Sequence, residues 1–144
     1  MACAQLSCLR LGKETHCFAL KANFAEDTFV GSSIIDMYAK CGSIDQARCI
    51  FDRLHEKDSV SWNVIITGYG IHGCASEALE LLVEMQEEGL NPDEFTYIGI
   101  LMACSHAGLV EEGLSISNRC QLKEWLQNWS TMLVLLTCLA GLGN

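Results

Sequence analysis

Apolar positions along the chain recur with the 3.6-residue period of amphipathic helices. One stripe, spaced i, i+4, i+5 and i+8, consists of Val30, Ile34, Ile35 and Tyr38. This spacing puts the side chains on one face and predicts a helix over Phe29–Lys40. Gly42 is predicted to end that helix. Ser43 is predicted to cap the next, with Gln46 three residues on, in a capping-box pattern.

The same order of elements returns further along the chain. Core-facing stripes are predicted on three successive helices, at Ile44, Ala47, Ile50, Phe51 and Leu54, then Trp62, Ile65, Ile66 and Tyr69, then Ala78, Leu79, Leu82 and Met85. Gly89 is a predicted helix C-cap, and Pro92 prevents continuation. A further helix is predicted over Phe95–His106, followed by a turn at Gly108 and a helix from Leu109.

These elements form an internal repeat with two unit lengths. Ala2, Cys3 and Gly12 recur as Ala103, Cys104 and Gly113, 101 residues later. Tyr38–Gly42 and Tyr69–Gly73 mark the same turn 31 residues apart, and Gly73 lies 35 residues before Gly108. The interval of 101 residues therefore consists of two intervals of 35 and one of 31. Self-similarity at such a period is typical of stacked repeat proteins.

The repeat divides the chain into units at residues 1–27, 28–58, 59–93 and 94–114, with a tail at 115–144. The first unit lacks its opening helix, so a turn around Ser7 and a helix from about Leu9 to Leu20 are predicted there. Each helix pair has an apolar face that only stacking can bury. The predicted fold is all-α, a right-handed α–α superhelix with a groove lined by the first helix of each unit.

Composition narrows the function classes. The formal net charge of −9 disfavours a simple electrostatic nucleic-acid binder, although basic residues gathered in one groove would still permit binding. The nine cysteines form no C-x-x-C pair, which predicts small buried thiols in a reducing compartment and no metal site. The apolar run Met132–Leu142 is about half the length of a membrane span. The N-terminus shows no targeting peptide.

Three groups of residues carry a resemblance to a known family. Ile34–Gly42, with Ala47-Arg48 and Phe51-Asp52 after it, resembles the short unit of plant pentatricopeptide repeat proteins. Ser61–Asn63, Glu77–Leu79 and Asn91–Asp93 resemble the standard unit, and Ala103–Gly113 resembles the long unit. The four units are then a partial long, a short, a standard and a partial long repeat. The alternation matches the subclass with mixed repeat lengths.

The resemblance implies sequence-specific binding of single-stranded RNA in mitochondria or chloroplasts, for RNA editing or other RNA processing. In such proteins one side chain of the first helix and the last residue of the unit read one base. Asn63 and Asp93 match the uracil-favouring pair, and Ser32 and Asp58 resemble the guanine-favouring pair. Ile98 takes the place of Asn63 in the fourth unit and cannot hydrogen-bond a base.

The resemblance also implies a set of apolar residues that sandwich bases. Phe29, Val60 and Phe95 occupy these places. The implied partners are organellar single-stranded RNA and editing-complex proteins, with no membrane, cofactor or small-molecule substrate. Some members of the family end in a zinc deaminase domain, whose H-x-E and P-C-x-x-C signature is absent from this sequence. The chain is therefore not expected to be an enzyme.

Other interpretations of the same residues remain open. Asp58 and Asp93 are plausible N-cap residues of the helices that follow them, and Asn63 and Ser32 would then be exposed polar residues. His72 and His106 lie near helix ends, where a solvated or capping role is expected. A protein-interaction solenoid of the tetratricopeptide type fits the negative charge, and a truncated product without activity fits the incomplete first unit and the tail.

The tail after Leu114 does not continue the repeat. Each codon of a shifted frame joins the third base of one codon to the first two of the next. With permitted codons, Leu122–Asn144 then encodes E-G-M-A-P-K-L-E-H-Y-A-C-I-A-D-L-L-G-R-A-G-K, which resembles the family's next segment. We interpret Ser115–Asn144 as the product of a frameshift near Leu114 or of a gene-model error there. The alternative is an ordinary C-terminal helix.

Sequencing the transcript across the codon of Leu114 tests this interpretation. We expect codons that encode the family-like string when they are read in the shifted frame. The first two bases of most of these codons are dictated by the protein sequence, so the third bases decide the outcome. An intact frame with other third bases at these sites would contradict the frameshift.

Overall fold

The computed structural model describes residues 2–22, 24 and 27–119 of the chain. This part contains seven α-helices and no strand. The helices are α1 (Ala2–Lys21), α2 (Thr28–Lys40), α3 (Ile44–Arg53), α4 (Ser59–Ile71), α5 (Ala75–Glu87), α6 (Glu94–Ala107) and α7 (Val110–Arg119). Among these described helices, none combines the length and the hydropathy needed to cross a bilayer.

The helices pair and stack in chain order. The pairs are α2 with α3, α4 with α5, and α6 with α7, and α1 packs against α2. The first helices of the pairs lie side by side, since α4 contacts both α2 and α6. They begin at residues 28, 59 and 94, so their spacing is 31 and then 35 residues. The predicted all-α solenoid is confirmed.

An aspartate begins each of the three first helices. Asp27 accepts from the amides of Phe29 and Val30, at 3.0 and 3.1 Å. Asp58 accepts from Ser61 N at 2.8 Å, and Asp93 from Thr96 N at 3.0 Å. Such caps accept hydrogen bonds from amides that have no partner inside the helix. The negative charge of the carboxylate also interacts favourably with the positive end of the helix dipole. The alternative interpretation of Asp58 and Asp93 as N-caps is therefore confirmed.

Four glycines with positive φ end helices in the same way. Gly42, Gly73, Gly89 and Gly108 have φ between 69° and 82°. The amide after each glycine bonds a carbonyl five residues back, as from Ser43 N to Tyr38 O at 2.9 Å. This is the Schellman motif, in which glycine adopts the left-handed conformation without a Cβ clash. The predicted turns at Gly42, Gly73, Gly89 and Gly108 are therefore present.

The core follows the predicted stripes with one change of residue. Trp62 and Phe51 are its largest fully buried side chains, and their rings meet edge to face with centroids 4.8 Å apart. On α5 the fully buried leucine is Leu81, whereas the predicted Leu79 and Leu82 are only partly buried. The prediction missed Leu81, because adjacent leucines lie about 100° apart on a helix and packing selects which one faces inward, whereas Leu79 and Leu82 pack against the edge of the core.

The first helices approach each other through small residues. A Cβ on Gly70 of α4 would lie 2.6 Å from the carbonyl oxygen of Gly99 on α6. A Cβ on Gly99 would in turn lie 3.1 Å from Ile66 Cγ2 and from Thr67 Oγ1. Because glycine has no side chain, α4 and α6 approach more closely here than larger residues would allow.

Two histidines join neighbouring units near this contact. His72 donates a ring N–H to the Ala39 carbonyl at 2.8 Å, and His106 donates to the Gly70 carbonyl at 2.9 Å. Each acceptor lies in the last turn of the preceding first helix, where carbonyls lack partners within the helix. Both histidines are exposed, as expected, and they bond the helix end of the preceding unit rather than that of their own unit.

Two local predictions were wrong. The helix α1 continues through Ser7, where a turn was expected, because no proline or glycine interrupts residues 2–11. Ser43 precedes α3 as predicted, but its side chain makes no capping hydrogen bond, so the capping box with Gln46 does not form. Its φ and ψ of −109° and 60° lie outside the extended region typical of an N-cap. Residues 115–119 of the predicted tail belong to α7, and residues 120–144 lie outside the described residues.

Substituting Gly70 by alanine tests the close approach of α4 and α6. We expect Gly70→Ala to lower the free energy of unfolding by about 1–3 kcal/mol, because the methyl group meets the backbone of Gly99. This is the net effect, after the gain of about 1 kcal/mol in helix propensity. Chemical denaturation followed by circular dichroism measures it.

Gly12→Ala is the matched control, since Gly12 is also a helical glycine. A Cβ there meets the flexible end of the Met37 side chain, which can move. We expect Gly12→Ala to be neutral or stabilising. Equal free energies of unfolding for the two variants would contradict the tight contact at Gly70.

Candidate functional site

Three first helices contribute to one groove. Its lining comprises Asp36 from α2, Val60, Asn63, Val64 and Thr67 from α4, and Phe95 from α6. The groove has a volume of about 330 Å³. Its lining is largely apolar, and a few polar groups enter it, which is the usual composition of a ligand site.

Asn63, which lines this groove, contacts Asp93. The amide nitrogen Nδ2 of Asn63 donates to the carboxylate of Asp93, at 2.9 Å from Oδ1 and 3.0 Å from Oδ2. The two residues are 30 positions apart, and the contact forms because the loop before α6 returns beside α4. Asp93 therefore caps α6 and holds Asn63 at the same time.

Thr96 is the third member of this polar cluster. Its side chain is fully buried. The hydroxyl Oγ1 accepts from Asp93 N at 3.0 Å and lies 2.6 Å from Asn63 Oδ1 and 3.1 Å from Asp93 Oδ1. A hydroxyl has one proton to donate, and the shorter distance assigns it to Asn63. Asp93 and Thr96 also exchange the two bonds of a capping box.

This cluster fixes the orientation of the Asn63 amide. A carboxylate only accepts hydrogen bonds, so the NH2 group must face Asp93, and the oxygen then faces the Thr96 hydroxyl. One lone pair of Oδ1 remains available. A single N–H directed between the two carboxylate oxygens satisfies both distances to Asp93 and leaves the second hydrogen of Nδ2 free. Asn63 can thus present one donor and one acceptor to a ligand.

The equivalent pair in the preceding unit is arranged differently. Ser32 is buried, and its hydroxyl donates to the Thr28 carbonyl of its own helix at 2.8 Å. Asp58 caps α4 through Ser61 N. Within the described residues no hydrogen bond joins Ser32 to Asp58, because the serine side chain is shorter than that of asparagine. Ile98, at the same place on α6, is partly buried.

The three predicted stacking residues are all exposed. The exposed fractions are 81% for Phe29, 57% for Val60 and 65% for Phe95. Val60 and Phe95 line the same groove as Asn63. Phe29 lines a second apolar groove of about 210 Å³ between α1 and α2, together with Val30 and Met37. Large apolar side chains left in water beside a polar pair offer platforms for a flat ligand.

A charged pair borders the groove at α2. Lys40 Nζ lies 2.6 Å from Asp36 Oδ2, and Asp36 itself lines the groove. Both side chains are well exposed, so the pair contributes little to stability. The ammonium group of Lys40 thus lies near the groove. It could leave Asp36 and bind an anionic ligand instead.

Sequence reasoning did not find Thr96. It is adjacent to Phe95 and three residues after Asp93, which is the spacing of a capping box. That spacing would have indicated its bond with Asp93 but not its bond with Asn63, which lies 33 positions away. In the part of the chain that the structure describes, no group of three or more histidine, cysteine, aspartate or glutamate side chains is placed to hold a metal ion.

Comparison with known proteins identifies the repeats. Models described as PPR repeat and PPR repeat family match residues 32–59 and 57–106. A pentatricopeptide repeat-containing protein of Arabidopsis thaliana is 54% identical over 113 residues, which are 78% of this chain and 12% of the relative. Another, named as chloroplastic, is 50% identical over 115 residues, 80% of this chain and 13% of that protein.

A third Arabidopsis thaliana relative, named as mitochondrial, is 49% identical over 114 residues, which are 79% of this chain and 15% of that protein. The chain thus spans 12–15% of the length of these three relatives. The two repeat models together extend over residues 32–106, which include all of α4, α5 and the Asn63–Asp93 pair. The chain therefore belongs to the pentatricopeptide repeat family.

Proposed function

We propose that this chain binds single-stranded RNA in the groove of α2, α4 and α6 and reads one base through Asn63 and Asp93. The observation that carries the proposal is the Asn63–Asp93 contact, which holds an amide in one orientation at an exposed groove. Unpaired bases display their hydrogen-bonding edges and flat faces to such a site. The base assigned to the pair is uracil.

Val60 and Phe95 are proposed to stack on this base. Both are exposed and line the groove with Asn63, Val60 from the same helix α4 and Phe95 from α6. Phe29 has the same role one unit earlier, where Ser32 and Asp58 form the proposed guanine-reading pair. The Ser32 hydroxyl must leave the Thr28 carbonyl to contact a base there, so this second pair is the weaker one.

Lys40 is proposed to contact a phosphate, since its ammonium lies beside the groove. A chain with a net charge of −9 gains little from long-range attraction to RNA. Stacking and base-edge contacts therefore supply most of the affinity, and no catalysis by this chain is proposed.

The proposed setting is an organelle. Two relatives carry names that place them in the chloroplast and the mitochondrion. The starts of α2, α4 and α6 are 31 and 35 residues apart, which supports the subclass with alternating repeat lengths. We assign the chain to that subclass and its RNA to editing or other processing, with editing-complex proteins as partners.

Binding of a short single-stranded RNA tests the base-reading pair. The probe contains adjacent guanine and uracil, and a second probe has cytosine in place of the uracil. We expect Asn63→Ala to weaken binding to the first probe by about 1–3 kcal/mol, the usual size of one lost base contact. Fluorescence anisotropy at fixed salt concentration measures both affinities.

Gln46→Ala serves as the matched control, because Gln46 is an exposed amide on α3, outside the groove. This variant should bind both probes as the unsubstituted protein does. Equal affinity of the unsubstituted protein and of Asn63→Ala for the uracil probe would remove the base-reading proposal.

Substituting Phe95 by alanine tests the stacking platform. We expect a loss of about 1–3 kcal/mol in RNA binding that is the same for the uracil and cytosine probes, because stacking does not depend on the base edge. Phe18→Ala is the control, since Phe18 on α1 is 72% exposed and lies outside the groove lining. A loss as large for Phe18→Ala as for Phe95→Ala would contradict a specific platform.

A further inference from the structure

We infer that the buried hydroxyl of Thr96 is a positioning group that sets which pyrimidine Asn63 accepts, an inference that rests on the proposed function. Thr96 belongs to the unit after the one that reads the base. It is fully buried and cannot touch RNA, so it acts through Asn63.

The chemistry of the two pyrimidines makes orientation decisive. The base-pairing edge of uracil presents the acceptor O4 beside the donor N3–H. Cytosine presents a donor, its exocyclic amino group, beside the acceptor N3. An asparagine amide also presents a donor beside an acceptor, so in one orientation it matches uracil and after a 180° flip it matches cytosine. Selection between the two bases therefore requires that the flip be blocked.

Two contacts block the flip from different sides. The Asp93 carboxylate holds the nitrogen, at 2.9 and 3.0 Å, and the Thr96 hydroxyl holds the oxygen, at 2.6 Å. After a flip, the amide oxygen would face the carboxylate, and the Thr96 proton would lose its acceptor on Asn63. The acceptor left to the hydroxyl would be Asp93 Oδ1, at the longer distance of 3.1 Å, so the flip exchanges the 2.6 Å bond for a weaker one.

The preceding unit shows that such a hydroxyl does not always have this role. Ser61 takes the place of Thr96 three residues after its cap, and it is also fully buried. Its hydroxyl donates to the backbone carbonyl of Asp58 at 2.8 Å. The residue at the reading position there is Ser32, whose own hydroxyl is bonded to Thr28. Of these two described units, only the later one has a hydroxyl contact to the preceding reading position, from Thr96 to Asn63.

The experiment compares two substitutions of Thr96. Thr96→Val keeps the shape of the side chain and removes the hydroxyl, whereas Thr96→Ser keeps the hydroxyl. The measured quantity is the ratio of affinities for the uracil and cytosine probes. We expect Thr96→Val to lower this ratio by about 2- to 10-fold, the effect of one net hydrogen bond. We expect Thr96→Ser to retain it.

Ser61→Ala controls for the loss of a buried hydroxyl at a helix start. It should lower the melting temperature, as Thr96→Val does, and leave the affinity ratio unchanged. A ratio that falls equally in Ser61→Ala and Thr96→Val would overturn the inference, because general loosening of the repeats would then be the cause.

The outcomes separate this inference from the proposed function. An unsubstituted protein that does not distinguish uracil from cytosine overturns both. An unsubstituted protein that distinguishes them, with a Thr96→Val variant that does so equally well, overturns only the role of Thr96. A ratio that is lowered in Thr96→Val and retained in Thr96→Ser supports both.

Discussion

One hydrogen-bonding arrangement, the aspartate at the start of each first helix, sets the register on which the rest of the structure depends. Asp27, Asp58 and Asp93 bond amides two or three residues later, so each helix begins at the same point of its unit. The residue five positions after the cap then comes at the same place on every first helix. At Asp93 the cap and the candidate site are one carboxylate, so the capping and base-reading interpretations of this residue are compatible.

Close packing of α4 against α6 brings residues of two units together at the candidate site. Asn63 and Thr96 are 33 residues apart, and a hydrogen bond of 2.6 Å forms only if α4 and α6 are nearly in contact. Gly70 and Gly99 permit that approach, and the histidine bonds to the Ala39 and Gly70 carbonyls join neighbouring units where the stacked helices end. The polar cluster therefore depends on Gly70 and Gly99 as much as on the residues that make its hydrogen bonds.

The sequence predicted the elements of the fold more fully than the contacts between them. Helical periodicity and the glycine turns placed α2 and α6 within one residue of their observed bounds, since these signals are local. Ser43 failed as a cap because the backbone before α3 takes another conformation, and composition does not report conformation. The Thr96 hydroxyl could not be assigned to Asn63 from the sequence, because that bond depends on how closely two units pack.

The units that end in Asp58 and Asp93 also differ in how firmly their reading residues are held. Asparagine at position 63 is long enough to meet both the next cap and the next unit's threonine, so its amide is held at both ends. Serine at position 32 ends one bond from Cβ and returns its hydroxyl to its own helix. A held amide has already lost the rotational freedom that binding would otherwise cost, whereas Ser32 must first break a bond. The proposed base selectivity should therefore be concentrated at the unit that ends in Asp93.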